Sequence, residues 1–425
     1  MNTEVKTLLA CIADDLTGAT DVALTLTRAG LSTTQIVGVP GNSPIPKDQA
    51  IVIALKSRTI PAEEAVAQSL ASVRRLRAEG VEHFFFKYCS TFDSTDQGNI
   101  GPVIEALMAE LGVELSIACP AFPANGRTVY LGHLFVHGTL LEQSSLRDHP
   151  LTPMHDSNLV RVLSKQTRLA VGLLPYARVN AGVEAIQNEL DQMSGKGTRV
   201  CIADALSERH VEDLGYACGD MKLVTGGSAL AAGVGKRLLE KYAASGTTSS
   251  GPRFIPPTGH TVILAGSCSE ATRAQVALAS ERLPAFRLDV ESLLAGAPVV
   301  ADAVAWAQER LGNTPVLIYS SADQSQRQAT EDAYGKLTAG SAVEAAIAEI
   351  ARRLRATGTT RFIVAGGETS GAVVESLQLC ALRIGPEIDP GVPWTTSPDG
   401  DLALALKSGN FGSNDFFLKA LQYLS

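Results

Sequence analysis

The sequence predicts an α/β protein of two domains, each a largely parallel or mixed sheet flanked by helices, with a cleft between the domains. Three observations lead there. Short runs of β-branched and apolar residues alternate with longer segments whose apolar residues recur three and four apart, the rhythm of strands joined by covering helices. The chain has 425 residues, 45% of them hydrophobic, enough for two cores at roughly 100–200 residues per domain. Between the halves, Ala244 to Pro252 and then Pro256-Pro257-Thr258-Gly259 show no apolar periodicity, and Ser, Thr, Gly and Pro avoid helix and sheet interiors. The expected division is therefore residues 1–245, a linker 246–258, and residues 259–425.

In chain order, Leu8 to Ala13 reads as a buried strand, because Asp14-Asp15 ends the apolar run too early for a signal peptide. Ile51 to Leu55 is the next expected strand, and Ala62 to Ala78 a helix with Arg and Glu between its apolar positions. Phe84 to Phe86, Leu115 to Ala118 and Arg199 to Ala203 read as strands. Leu223-Val224-Thr225 runs into Gly226-Gly227-Ser228 and a helix over Ala229 to Leu239, a turn that either supports a ligand or simply packs. In the second half, Thr261 to Ala265 leads through Gly266-Ser267-Cys268-Ser269 to a helix from Glu270 to about Arg282. Val316 to Tyr319 is a strand and Ala342 to Ala356 a helix. Arg361 to Ala365 then runs through Gly366-Gly367-Glu368-Thr369-Ser370-Gly371 into a helix over Ala372 to Leu379. A last strand ends at Leu406, before Ser408 to Asn414.

Charge and cysteine usage exclude several classes. With 36 Lys plus Arg against 44 Asp plus Glu, the formal charge is −8, so no diffuse positive field exists to hold nucleic acid or an anionic membrane. Any anionic ligand must be bound locally. Seven cysteines are spread with no two closer than 17 residues, which disfavours a zinc clamp or a disulfide framework and points to reduced thiols in the cytoplasm. No uncharged apolar run approaches the roughly 18–20 residues of a membrane helix. His133 and His137 are four apart, but their surroundings read as strand or loop, where that spacing is about 13 Å, so no metal is expected there.

Six segments carry chemistry-bearing residues. Glycines let a backbone approach a phosphate, and the first turn of a helix offers free N–H groups, so the Gly266, Gly366 and Gly409 turns suit a nucleotide if their strands are neighbours. The competing reading of the Gly366 segment is a tight turn with Thr369 capping the helix. A Walker A loop and the dinucleotide G-x-G-x-x-G are both absent, which disfavours a P-loop ATPase and a standard dehydrogenase. Asp14 and Asp15 stand where a strand yields to a helix; one can serve as a base toward a hydroxyl or hold Mg²⁺ through water, or Asp15 can merely cap the helix beside a solvated Asp14. Lys87, with the hydroxyls and carboxylates from Ser90 to Asn99, supplies a cation and hydrogen-bonding groups for a polyhydroxylated anion, unless this is an ordinary polar loop. Arg58 is a second cation for the ligand's carboxylate, or a surface charge.

Ile12-Ala13-Asp14-Asp15-Leu16-Thr17-Gly18-Ala19, Asp93-Ser94-Thr95 with Gly98-Asn99-Ile100-Gly101, and Ala365 to Gly371 together resemble the four-carbon acid sugar kinase family, in order and over nearly the whole chain. The aldonate branch, acting on threonate or erythronate, places a Lys two or three residues before Asp-Ser-Thr and Leu-Arg after it. Here Lys87 is six before Asp93, and Asp96-Gln97 follows, so the segment is more similar to the 3-oxo-tetronate 4-kinase branch.

The resemblance implies an N-terminal substrate domain and a C-terminal ATP domain. It implies ATP contacts at Ser267, Gly366, Gly367, Glu368, Thr369 and Gly409, and substrate contacts at Asp14, Arg58, Lys87, Ser90, Thr91 and Ser94. Asp15 or Asp93 is the expected base, with Mg²⁺ accompanying ATP on ligands the sequence does not assign. The expected activity is transfer of the γ-phosphoryl group to the terminal hydroxyl of a four-carbon sugar acid, with closure near Ser245 to Pro257 excluding water. Rival readings are a D-threonate or D-erythronate kinase and a non-catalytic sugar-acid or nucleotide binder. Expected partners are the sugar acid and ATP, with neither nucleic acid nor membrane; the oligomeric state is left open, a homodimer included.

Overall fold

A computed structural model describes residues 5–92, 95–149, 152–244, 254–312, 314–320 and 336–424. Its contacts divide the chain into two units, Met1–Pro252 and Arg253–Ser425. Most of the expected linker, residues 246–253, lies outside the described residues.

In the first unit the strands are β1 (Leu9–Ala13), β2 (Thr33–Val37), β3 (Ala50–Ala54), β4 (Phe84–Lys87) and β5 (Ser116–Cys119), then β6 (Arg127–Tyr130), β7 (His133–Val136) and β8 (Thr139–Leu140), and finally β9 (Val171–Leu174), β10 (Val200–Ala203) and β11 (Leu223–Gly226). The main sheet runs β2-β3-β1-β4-β11-β5-β10-β9 with every neighbouring pair parallel. β6, β7 and β8 form a small antiparallel sheet. A parallel sheet needs crossover helices, which cover both faces and bury its central strands completely. That is why β1 can read Leu-Ala-Cys-Ile-Ala and be buried at every position. On β4, Phe84, Phe85 and Phe86 are all at most 2% exposed, each contributing roughly 1.5–3 kcal/mol through burial.

In the second unit the strands are β12 (His260–Ala265), β13 (Ala285–Arg287), β14 (Val316–Tyr319), β15 (Thr359–Ala365), β16 (Ala381–Asp389), β17 (Val392–Thr396) and β18 (Ala403–Lys407). Their order is β13-β14-β12-β15-β18-β17-β16. The run from β13 to β18 is parallel, and β17 is antiparallel to both its neighbours. Alternation along each strand feeds two cores. Val262, Leu264, Phe362 and Val364 pack with Ile347, Ile350 and Leu354 of the helix Lys336–Ala356. Ile263, Ala265, Ile363 and Ala365 pack on the other face with Val276 and Ala279 of the helix Glu270–Ser280 and with Phe416 and Phe417.

The α/β class and the largely parallel sheets are therefore as the sequence predicts. Several strands are additional to that reading, and β2 shows why: Thr33, Thr34 and Gln35 look solvent-facing yet are buried, with Thr34 Oγ1 donating to Asp48 Oδ2 at 2.6 Å. The helix after β15 spans Gly367–Ser376, not Ala372 to Leu379. The glycine-rich segment is thus the helix's own first turn, because Gly366, at φ 131°, completes the bend from the strand by itself.

Candidate functional site

In the first unit, parallel pairing puts the carboxyl-terminal ends of β1, β3, β4 and β11 along one edge, where α/β proteins hold ligands. Asp14 follows β1 and is 6% exposed. Its N–H donates to Lys87 O at 3.0 Å, and its carbonyl accepts from the amides of Ser57 at 2.9 Å and Arg58 at 3.2 Å. The Arg58 guanidinium grips the Asp14 carboxylate in two-pronged fashion, Nε to Oδ2 at 2.9 Å and Nη2 to Oδ1 at 2.8 Å. The same Nη2 reaches Asp15 Oδ1 at 2.7 Å. Asp15 also caps the helix Leu16–Arg28, accepting from the Gly18 amide at 3.0 Å.

Burial pushes the Asp14 carboxyl above its usual range, opposed by the bond and charge of Arg58 and by the charge of Lys87. Burial works against the Arg58 charge as well, but the bond to Asp14 and the charges of Asp14 and Asp15 prevail and raise it. A pair of adjacent acids at a strand end is costly unless solvated or paired. Here Asp14 is buried and paired, which corrects the reading of a solvated Asp14. Arg58 is no stray surface charge, and its Nε and Nη2 are engaged by the two carboxylates.

Lys87 ends β4, lying opposite Ala13 of β1 and Gly226 of β11. It is 4% exposed, and its ammonium donates to Tyr88 O at 2.8 Å. Gly18 makes this crowding possible, since a Cβ there would fall 2.3 Å from Asp15 Oδ1 and 2.8 Å from Lys87 Nζ. The loop beyond β4 has a half-buried Ser90 and a buried Thr91, whose Oγ1 lies 2.8 Å from Cys89 Sγ. Phe92, at φ 53°, turns back to meet Tyr88 edge-on at 5.4 Å between ring centres. Asp93 and Ser94 lie outside the described residues.

Two features of this edge escape sequence reasoning. Asn99 precedes the helix Ile100–Leu111 without capping it. Its Nδ2 lies instead 2.6 Å from Ser57 O, 3.2 Å from Arg58 O and 2.9 Å from Ile60 O, clamping the segment that carries Arg58. The Gly226-Gly227 turn, read as either supporting a ligand or packing, lies directly beside Lys87: Tyr88 N donates to Gly226 O at 3.2 Å and Gly227 N to Cys119 O at 3.0 Å. A Cβ at Gly226 would stand 2.4 Å from Cys119 O, so only glycine lets β11 and β5 close here.

In the second unit, β12, β15 and β18 lie side by side and parallel, which places the three glycine turns on one edge. Gly366 N donates to Lys407 O at 2.9 Å, while Gly266 N and Ser267 N both donate to Ala365 O, at 3.0 and 3.2 Å. Thr369 is 4% exposed and does not cap the helix Gly367–Ser376. Gly366 takes the cap position with no side-chain bond, and the Thr369 hydroxyl fills the space between turns. A Cβ at Gly266 would lie 2.3 Å from Thr369 Oγ1, and one at Gly366 2.6 Å. Gly409 packs equally closely, its imagined Cβ 2.5 Å from Ser267 Oγ. Gly367 and Glu368 are exposed at the first turn, whose amides have no intrahelical acceptor and carry the positive end of the helix dipole. The arrangement suits a phosphate group.

Among the described residues no three His, Cys, Asp or Glu side chains converge as a metal site would require. No helix among them is long and apolar enough to cross a membrane. No disulfide joins any of the seven cysteines.

Residues 9–234 match the model of a sugar-binding N-terminal domain, and residues 262–417 that of a nucleotide-binding C-terminal domain. The chain is 52% identical over 422 residues to a 3-oxo-tetronate kinase of Burkholderia multivorans, covering 99% of this chain and 98% of the relative. It is likewise 52% identical over 427 residues to a 3-oxo-tetronate kinase of Pseudomonas fluorescens, again covering 99% and 98%. A crystal structure of a Haemophilus influenzae protein, 42% identical, aligns over 98% of this chain and 100% of that one with a TM-score of 0.91.

Proposed function

The chain, matched by both domain models and by near-full-length relatives, belongs to the four-carbon acid sugar kinase family, and from that premise we propose that it phosphorylates the 4-hydroxyl of 3-oxo-tetronate with ATP. One observation carries the reading: 52% identity, over 99% of the chain, to relatives named for that activity. The two strand-edge sites support it chemically.

In this reading the first unit binds the sugar acid. Lys87 takes its carboxylate, Ser90, Thr91 and Ser94 its hydroxyls, and Asp15 orients the attacking 4-hydroxyl and accepts its proton, with Asp93 the second choice. Arg58 acts chiefly through the acids: by holding Asp14 and Asp15 it fixes where the Asp15 carboxylate points. The second unit binds ATP through the first-turn amides of Gly367, Glu368 and Thr369, with Gly366, Ser267 and Gly409 beside them. The phosphoryl group passes through a loose transition state, which asks the protein mainly for alignment and for neutralising spread charge. Mg²⁺ is proposed to arrive with ATP as part of the substrate, on phosphate oxygens and water, the usual mode where no protein cage is built.

A coupled assay on 3-oxo-tetronate, D-threonate and D-erythronate, run on the wild type and on Asp15→Asn, tests the proposal. The expected result is highest kcat/KM on 3-oxo-tetronate and about a 100-fold or larger fall for Asp15→Asn. Preference for either aldonate would move the chain to the aldonate branch, and turnover of none would favour the non-catalytic binder.

A further inference from the structure

The turn after β18 contains Gly409, and side chains capture the carbonyls of that turn one after another. Ser408 O accepts from Lys407 Nζ at 3.1 Å. Gly409 O accepts from Lys407 Nζ at 2.9 Å, from Ser269 Oγ at 2.6 Å and from Thr272 Oγ1 at 2.8 Å. Gln275 Nε2 lies 3.1 Å from Phe411 O and 3.0 Å from both Gly412 O and Ser413 O. Thr272 and Gln275 are three residues apart on the helix Glu270–Ser280, hence on one face. Lys407, Thr272 and Gln275 are each at most 1% exposed. The bonded partners of the Lys407 ammonium are the Thr272 hydroxyl and two carbonyls, with no carboxylate among them.

In a planar trans peptide the C=O and the following N–H point in opposite directions. Drawing the carbonyls of Ser408, Gly409, Phe411 and Gly412 toward the helix therefore turns the next amides away from it. One of these, on Ser413, is taken by Asp389 Oδ2 at 2.9 Å. The other three, on Gly409, Asn410 and Gly412, donate to no acceptor among the described residues. Unbonded amides turned away from the helix, in a turn whose carbonyls a buried ammonium holds, suit an anion.

We propose that Lys407, Thr272 and Gln275 are positioning residues of the nucleotide site, holding the Ser408–Ser413 turn so that its free amides serve the phosphates. This rests on the assignment of ATP to the second unit. None of the three needs to touch the nucleotide; they act through the backbone they hold.

The test uses the full-length protein and measures affinity for a non-hydrolysable ATP analogue, KM for ATP, KM for 3-oxo-tetronate and the unfolding midpoint. Gln275→Leu and Thr272→Val, which keep side-chain volume, are expected to raise KM for ATP and the analogue's Kd about tenfold, with KM for the sugar acid within about twofold. Thr272→Ser, which keeps the hydroxyl, should restore both. Lys407→Met is expected to act in the same direction, and the other two variants decide the matter if it does not fold. A lowered midpoint with unchanged ATP parameters would make the contacts merely structural and overturn the proposal. A wild-type protein that binds no analogue would overturn the nucleotide assignment itself, an outcome distinct from wild-type binding that the variants leave intact.

Discussion

Burial pulls the Lys407 ammonium down from 10.5 to about 8. Unfolded chains hold that proton up to about 10.5 and the folded protein only to about 8, so the unfolded state binds more protons in between. Stability contributed by this group therefore rises with pH across that window. Denaturant unfolding of wild type and Lys407→Met at pH 8 and pH 10.5 should show the difference moving in favour of the wild type; a pH-independent difference would contradict it. The acids and the lysine of the first unit were legible in the sequence because charged residues at strand ends have few structural uses. Asn99, Thr272 and Gln275 were not. Their partners lie 42, 137 and 136 residues away: the local pattern marks Asn99 only as part of a polar loop, and Thr272 and Gln275 look like ordinary helix positions.

Among elements, the helix Gly367–Ser376 separates packing from binding most cleanly. A Cβ at Gly366 collides with Thr369, whereas one at Gly367 meets no atom within 4 Å. Gly367→Ala should leave stability unchanged or raise it by up to about 1 kcal/mol, since Ala favours a helix more than Gly does. If phosphates approach that first turn, the same methyl group obstructs them and KM for ATP rises about tenfold or more. Unchanged stability together with unchanged KM would put the phosphates elsewhere. The strand-turn-helix pattern was readable from the order of residues, but the helix starts at Gly367, several residues before the expected Ala372. Glycine propensity marks a bend without saying which side of it the first hydrogen-bonded turn will take.

For the molecule as a whole, the cysteines report on both units. Cys11, Cys119, Cys201 and Cys218 are buried and Cys380 is exposed. Burial pushes the Cys119 and Cys201 thiols up to about 12, so little thiolate is available to react near neutrality. A thiol reagent should label Cys380 at once in the native protein, the four buried thiols only on unfolding, and seven in denaturant without reductant. A lower total would reveal a disulfide. The charge of −8 likewise acts at this scale, leaving any anionic ligand dependent on cations and amides placed locally.

The alternation of strands and helices, the α/β class and the placement of Asp14, Asp15, Lys87 and the three glycine turns at strand ends all follow from residue order, because side-chain periodicity and turn chemistry are local properties. Tertiary structure alone decided that β12, β15 and β18 are neighbours, that Arg58 holds both acids, and that one helix face captures the turn after β18. Each of these depends on strand order and on contacts between distant residues, which are set by how whole faces bury against one another and leave no periodic trace along the chain.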